Sequence, residues 1–244
     1  MFAPSSKDRL TEYDLGRFPG DSLFDRIGRA LCAARCLPRK ELYEAWEVAR
    51  RTRRRFRGGR VVDAGGGHGL LAQLMLLLDD TSPHALVVDP GVPRSATRVQ
   101  EVIARQWPRA AGRVSFVTAT IDEFQIESGD VIVSCHACGA LTDRVLARAA
   151  GARARVAVLP CCHDVDTCEV GPYGGWVDPA LAIDIGRAAR LDGEGYRVWT
   201  QTIPSAITPK NRLLLASPRE HEAAWKRDEA ARRQSRSGDP EPAR

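Results

Sequence analysis

The sequence predicts a doubly wound α/β domain, on three observations: short apolar runs without strict alternation, helical patterns between most of them, and a glycine-rich turn closing the first run. Strands are expected near residues 60–64, 85–89, 113–119, 130–134, 154–160, 196–203 and 211–216, and helices near 69–78, 94–107, 140–150 and 179–192. Runs that are apolar on both faces suit a parallel sheet covered by helices on each side. Only Pro204 to Lys210 separate the last two runs, too few residues for a helical crossover, so these runs are expected to form an antiparallel hairpin at the sheet edge.

Ahead of the sheet, Leu23, Phe24, Ile27 and Leu31 recur at helical spacing behind a cap at Asp21 or Ser22. Pro38 opens a second helix with Leu42, Tyr43, Trp46 and Ala49 on one side, ending in an arginine cluster before Gly58-Gly59. The chain therefore divides into a helical extension (1–57), a sheet domain (58–217) and a charged C-terminal stretch (218–244), of which Gln234 to Arg244 reads as a disordered tail.

The composition, 43% hydrophobic and 27% charged over 244 residues, supports a full core and is too polar for a membrane protein. No apolar run approaches the roughly 18 to 20 residues of a spanning helix, and Met1 to Asp8 lacks a signal peptide's apolar stretch, so a cytoplasmic location without membrane contact is expected. The net charge of +5 is mild, but Arg50, Arg51, Arg53, Arg54, Arg55, Arg57 and Arg60 crowd the approach to the first strand. Such a cluster is suited to RNA or an acidic protein, and equally to complementing a helix end. Seven cysteines, an odd number, argue against a secreted disulfide framework and for reduced thiols or metal ligands.

Val61-Val62-Asp63 ends the first strand, and Gly65, Gly66, Gly67 and Gly69 follow before Leu70-Leu71-Ala72-Gln73-Leu74 opens a helix. In an open parallel sheet, ligands bind beyond the carboxyl ends of the strands where the strand order reverses, and glycine lets the backbone turn tightly with no Cβ in the ligand's way. A dinucleotide fingerprint would need glycine where Leu70 stands, and a phosphate loop would end in Gly-Lys-Ser/Thr. The segment Asp63 to Gly69 instead resembles the D/E-x-G-x-G-x-G motif of class I S-adenosylmethionine (SAM)-dependent methyltransferases. That resemblance implies a seven-stranded Rossmann-like sheet in the order 3-2-1-4-5-7-6, with a SAM carboxylate or amino group over the glycines. It also implies Asp89 at the ribose hydroxyls, Ile121 and Asp122 at the adenine, and Cys135 in the same cofactor site. Read from the residues alone, Asp89 is also a turn former before Pro90-Gly91 and Asp122 a helix N-cap.

The fourth strand runs into Cys135-His136-Ala137-Cys138-Gly139, and the fifth into Pro160-Cys161-Cys162-His163. These motifs, with Thr142-Asp143, resemble a methyltransferase-like domain shared by the eukaryotic tRNA ribose methyltransferase of the acceptor stem, ribosomal RNA adenine dimethylase domain-containing proteins and the glutathione S-transferase C-terminal domain-containing protein. The resemblance covers roughly residues 55–217 and lacks the tRNA enzyme's cysteine-histidine zinc-finger extension. It implies methyl transfer to RNA, on a tRNA ribose hydroxyl or a base, with a protein or small-molecule acceptor, or SAM binding without turnover, as alternatives.

Neighbouring fourth and fifth strands would bring four cysteines and two histidines together, and three chemical uses compete. His136 or His163 can act as a general base. Cys135, Cys138, Cys161, Cys162 and His163 can offer zinc a mixed sulfur and nitrogen set. Cys138 or Cys162 can attack a pyrimidine ring as a thiolate. Against all three stands simple packing of small apolar cysteines at tight strand ends. The glycine-framed loop Gly171 to Pro179, with Tyr173 and Trp176, is suited to closing over a base or aromatic group, and Thr208-Pro209-Lys210-Asn211-Arg212 to polar substrate contacts.

Overall fold

A computed structural model describes residues 3–221; the expected tail Gln234 to Arg244 lies outside the described residues. Seven strands form one sheet in the order β3-β2-β1-β4-β5-β7-β6, as expected. They are β1 (Val61–Ala64), β2 (Ala85–Val88), β3 (Val114–Val117), β4 (Val131–Ser134), β5 (Arg155–Val158), β6 (Tyr196–Thr202) and β7 (Arg212–Pro218). The first five are parallel, with Val61 level with both Ala85 and Val131, while β7 runs antiparallel to β5 and β6.

The helices are α1 (Leu23–Ala34), α2 (Arg39–Arg55), α3 (Leu70–Leu77), α4 (Ala96–Gln106), α5 (Ala140–Gly151) and α6 (Pro179–Gly193). Ser22 caps α1 by accepting from the Asp25 amide, and Asp178 caps α6 by accepting from that of Leu181. Among the described residues three 3-10 helices, Glu12–Arg17, Pro108–Ala110 and Gly171–Gly175, are too short to leave a periodic signature in the sequence. No helix joins β3 to β4. There Thr120 donates its amide and hydroxyl to Glu123 Oε2, closing a turn that leaves Asp122 without a capping role.

Successive strand residues point to opposite faces, and the two faces carry two cores. Val61, Val87, Val131, Val133 and Leu215 meet α1 to α4 through Leu31, Val48, Leu74 and Ile103. Val62, Ile132, Val156, Val158 and Leu214 meet α5 and α6 through Val145, Ala149 and Leu191. The helices ahead of β1 thus belong to the same core as the sheet, with α2 against α3 and α1 against α4. Among the described residues no helix is long and apolar enough to cross a membrane.

The arginine cluster sits at the end of α2 and the start of β1, where the strands begin. Arg50 and Arg51 pair with Glu47, Arg53 and Arg57 with Asp79, and Arg60 with Asp130. Arg55 lies over the Trp199 ring at 5.0 Å. Arg53 is buried and also donates to Ser82 Oγ and the Met75 carbonyl. Burial alone would raise the Asp79 carboxyl, but hydrogen bonds from Thr81 and Gly58 and the Arg53 charge outweigh it and hold the group below the ordinary aspartate value.

Asp79→Ala leaves the Arg53 guanidinium buried without its counter-charge. A loss of about 3–5 kcal/mol is expected in urea unfolding at pH 7. Because the folded-state pKa is depressed, the wild-type advantage is present above the ordinary aspartate pKa and fades as pH falls through the depressed one, so the gap between the two proteins narrows on acidification.

Candidate active site

The strand order reverses between β1 and β4, and the loop leaving β1 there is built around Asp63. This carboxylate is buried, and its Oδ2 accepts the Ala72 amide at 3.0 Å, tying the strand end to the first turn of α3. The Gly65 amide donates to the Val88 carbonyl at 2.8 Å. Gly66 passes so close that a Cβ there would lie 2.6 Å from Asp63 Cγ and 2.8 Å from Val87 Cγ1. At Gly67, with φ of +48°, an added Cβ would meet nothing within 4 Å, so the bend opens onto free space. Asp89, at the end of β2, accepts the Gly67 amide at 3.0 Å and the Gly91 amide at 2.8 Å, joining two strand-end loops. Burial raises the Asp63 carboxyl to about 7, opposed by the Ala72 hydrogen bond and reinforced by Asp89.

Under the loop lies a cavity of about 30 Å³ lined by Glu41, Asp63, Gly65, His68, Cys135 and His136, among others. One wall is therefore α2, the second helix ahead of the sheet. Glu41 is pushed up to about 7 by burial and by neighbouring Glu44, against the pull of Lys40. Glu44 is buried, pairs with Lys40 at 3.2 Å and leaves Oε2 without a hydrogen-bond partner, 4.0 Å from His136 Nε2. The His136 side chain is 42% exposed; partial burial of its ring and the Lys40 charge lower its pKa. Glu44 sits between Leu42, Ala45 and Val48 on the buried side of its helix; a carboxylate in that stripe was the available signal for this wall.

The cysteines and histidines do not all converge. Cys138 and Cys161 sulfurs lie 2.9 Å apart, Cys161 and Cys162 3.9 Å, and the three sit within 4.8 Å of one another. Cys135 and His163 lie outside this group. Cys135 is buried in the wall of the cavity under the glycine loop, where burial pushes its thiol well up. His163 turns instead to α6: its side chain is 3% exposed, Nε2 is 2.8 Å from Asp184 Oδ1, and Nδ1 is buried without a partner.

Asp184 also accepts from Arg212 at 2.6 Å and Arg187 at 3.2 Å. Arg187, 1% exposed, reaches Asp143 at 2.7 Å and the Gly139 carbonyl at 3.2 Å. This guanidinium fastens the loop after β4 to the loop after β5, a role no local pattern announces. Ile121 is buried in the second core, and Asp122 is exposed and pairs with Arg144 at 2.9 Å. Trp176 stands 86% exposed beside the Gly171–Gly175 turn.

A family profile described as a methyltransferase domain matches residues 40–166, more than half of the chain. The chain belongs to this methyltransferase domain family. Among solved structures it is similar to an O-methyltransferase family protein from Burkholderia thailandensis, at a TM-score of 0.51 and 18% identity, covering 84% of this chain and 62% of that one. It also aligns with a ribosomal protein L11 methylase from Lactobacillus delbrueckii subsp. bulgaricus, at a TM-score of 0.45 and 14% identity, covering 72% and 77% of the two chains. This chain thus spans less than two thirds of the O-methyltransferase, and the likeness is one of fold. No curated protein matches it by sequence.

Gly67 faces open space, acids line the cavity from β1 and α2, and Asp89 stands at the adjoining strand end. Gly66→Ala drives a methyl group into the Asp63 carboxylate and Val87. The protein is expected to lose about 1–3 kcal/mol of stability by overpacking, read from denaturant unfolding. SAM affinity is expected to fall at least about tenfold in calorimetry, because the loop cannot keep its path.

Proposed function

We propose that this methyltransferase transfers the SAM methyl group to RNA, on a tRNA ribose hydroxyl or a base, with His136 as the group that takes the acceptor's proton. The observation that carries the reading is the position of His136 in the wall of the cavity that also holds Asp63 and Gly65. Asp63, Gly65, Gly66, Gly67 and Gly69 would hold the methionine end of the donor, Asp89 its ribose, and Ile121 and Asp122 its adenine. Cys135 would line the same donor site from the cavity wall. A sulfonium methyl needs little chemical activation, so the protein's main contribution is to align acceptor and methyl carbon and exclude competing water. As the acceptor oxygen or nitrogen gains the methyl, its proton passes to His136, held beside the Glu44 carboxylate. His163 suits this role less, being buried and paired with Asp184. The exposed Trp176 offers a stacking surface for a nucleobase.

RNA as acceptor is supported by the resemblance carried by His136-Ala137-Cys138-Gly139 and Pro160-Cys161-Cys162-His163. A second reading, a protein or small-molecule acceptor, is favoured by one observation. Arg50, Arg51, Arg53, Arg57 and Arg60 are all engaged in ion pairs within the chain.

His136→Ala is expected to lower kcat about 100-fold while the SAM Kd moves less than threefold, and to flatten the acid limb of the rate profile. An unchanged rate would remove His136 from the chemistry. Labelled SAM incubated with fractionated cellular RNA, protein and metabolites separates the acceptors. Label is expected in the tRNA fraction, with tRNA affinity falling steeply between about 50 and 200 mM salt. Label confined to protein or metabolites would transfer the assignment to the second reading.

A further inference from the structure

We infer that Cys138, Cys161 and Cys162 form a zinc site with three thiolate ligands and one position open to solvent. The three sulfurs lie within 4.8 Å of one another at the ends of adjacent parallel strands. The 3.9 Å between Cys161 and Cys162 is close to the separation of about 3.8 Å that two sulfurs take on tetrahedral zinc with bonds of about 2.3 Å. The 2.9 Å between Cys138 and Cys161 is well beyond a disulfide bond of about 2.05 Å, so the two sulfurs are not bonded to each other.

Packing does not account for these residues. Cys138 and Cys162 are exposed and Cys161 is half-buried, whereas cysteines that fill a core are enclosed, as Cys32, Cys36, Cys135 and Cys168 are in this chain. A second observation is the frame that holds them. The Gly139 amide donates to the Cys162 carbonyl at 3.2 Å, crossing from one cysteine loop to the other. Arg187 binds the Gly139 carbonyl, Asp143 and Asp184, and Asp184 holds His163, the residue after Cys162. A buried cation and two carboxylates therefore fix both loops from behind, as outer-sphere groups fix the ligands of metal sites.

Among the described residues these three sulfurs have no fourth protein ligand, the arrangement of zinc sites that keep a position for water or substrate. A fourth position of that kind would take the oxygen, nitrogen or sulfur of an incoming acceptor. The proposal concerns metal binding alone and does not require the acceptor to be RNA.

The test uses the full chain, purified under reductant without added metal. Elemental analysis is expected to give about one zinc per chain. Replacing zinc with cobalt(II) is expected to produce a thiolate-to-cobalt charge-transfer band and a tetrahedral visible spectrum. Cys138→Ser, Cys161→Ser and Cys162→Ser should each lower zinc affinity by at least about 100-fold, and Cys168→Ser should leave it unchanged. Circular dichroism and SAM calorimetry on the same samples distinguish loss of the metal from loss of the fold or of the donor site. Zinc below about 0.1 per chain with no cobalt band in folded, fully reduced protein would overturn the site. So would full zinc retention in Cys162→Ser, or a Cys138–Cys161 disulfide that survives reductant.

Discussion

The Asp63 carboxylate is the constraint on which the site rests. It ends β1, is buried between sheet and helix, and receives the Ala72 amide from the first turn of α3. Because the carboxylate occupies that space, the chain beside it can pass only as Gly66, and the turn must swing outward at Gly67, where Asp89 catches it from the neighbouring strand. One buried acid thus fixes the path of the glycine loop, the approach of β2 and one side of the cavity. Holding a carboxyl there raises its pKa to about 7, a cost that a cationic ligand would offset by favouring the charged form.

Much of this was legible in the sequence because it depends on local rules. Continuous apolar runs such as Ala85–Val88 and Val131–Ser134 announced a parallel sheet, and Asp63 followed by glycines marked the switch point, since a side chain at Gly66 would collide with its neighbours. The short Pro204 to Lys210 connection sufficed to orient β6 and β7. Element ends shifted by a residue or two, where hydrogen bonding rather than pattern decides the boundary.

What the sequence concealed depends on long-range geometry. Glu41 and Glu44 looked like ordinary helix carboxylates until α2 was laid against the glycine loop. Cys135 and His163, close in sequence to the clustered sulfurs, point elsewhere: neighbouring residues at a strand end alternate in direction, and His163 finds Asp184 on a helix 21 residues away. The arginine cluster looked like a surface for phosphates, but its partners Asp79 and Asp130 lie at the starts and ends of other elements, and charge counting along the chain cannot pair them.

A helix that precedes the sheet in the chain supplies one wall of the cavity under the glycine loop, and this bears on where such a domain can be divided. A junction placed at Phe56 to Arg60, where the composition changes, would part Glu41 and Ala45 from the loop they face and strip the cover from α3. The family match instead begins at Lys40, at the start of α2, and so takes in that wall. The boundary set by function lies about a helix length ahead of the boundary set by the sheet.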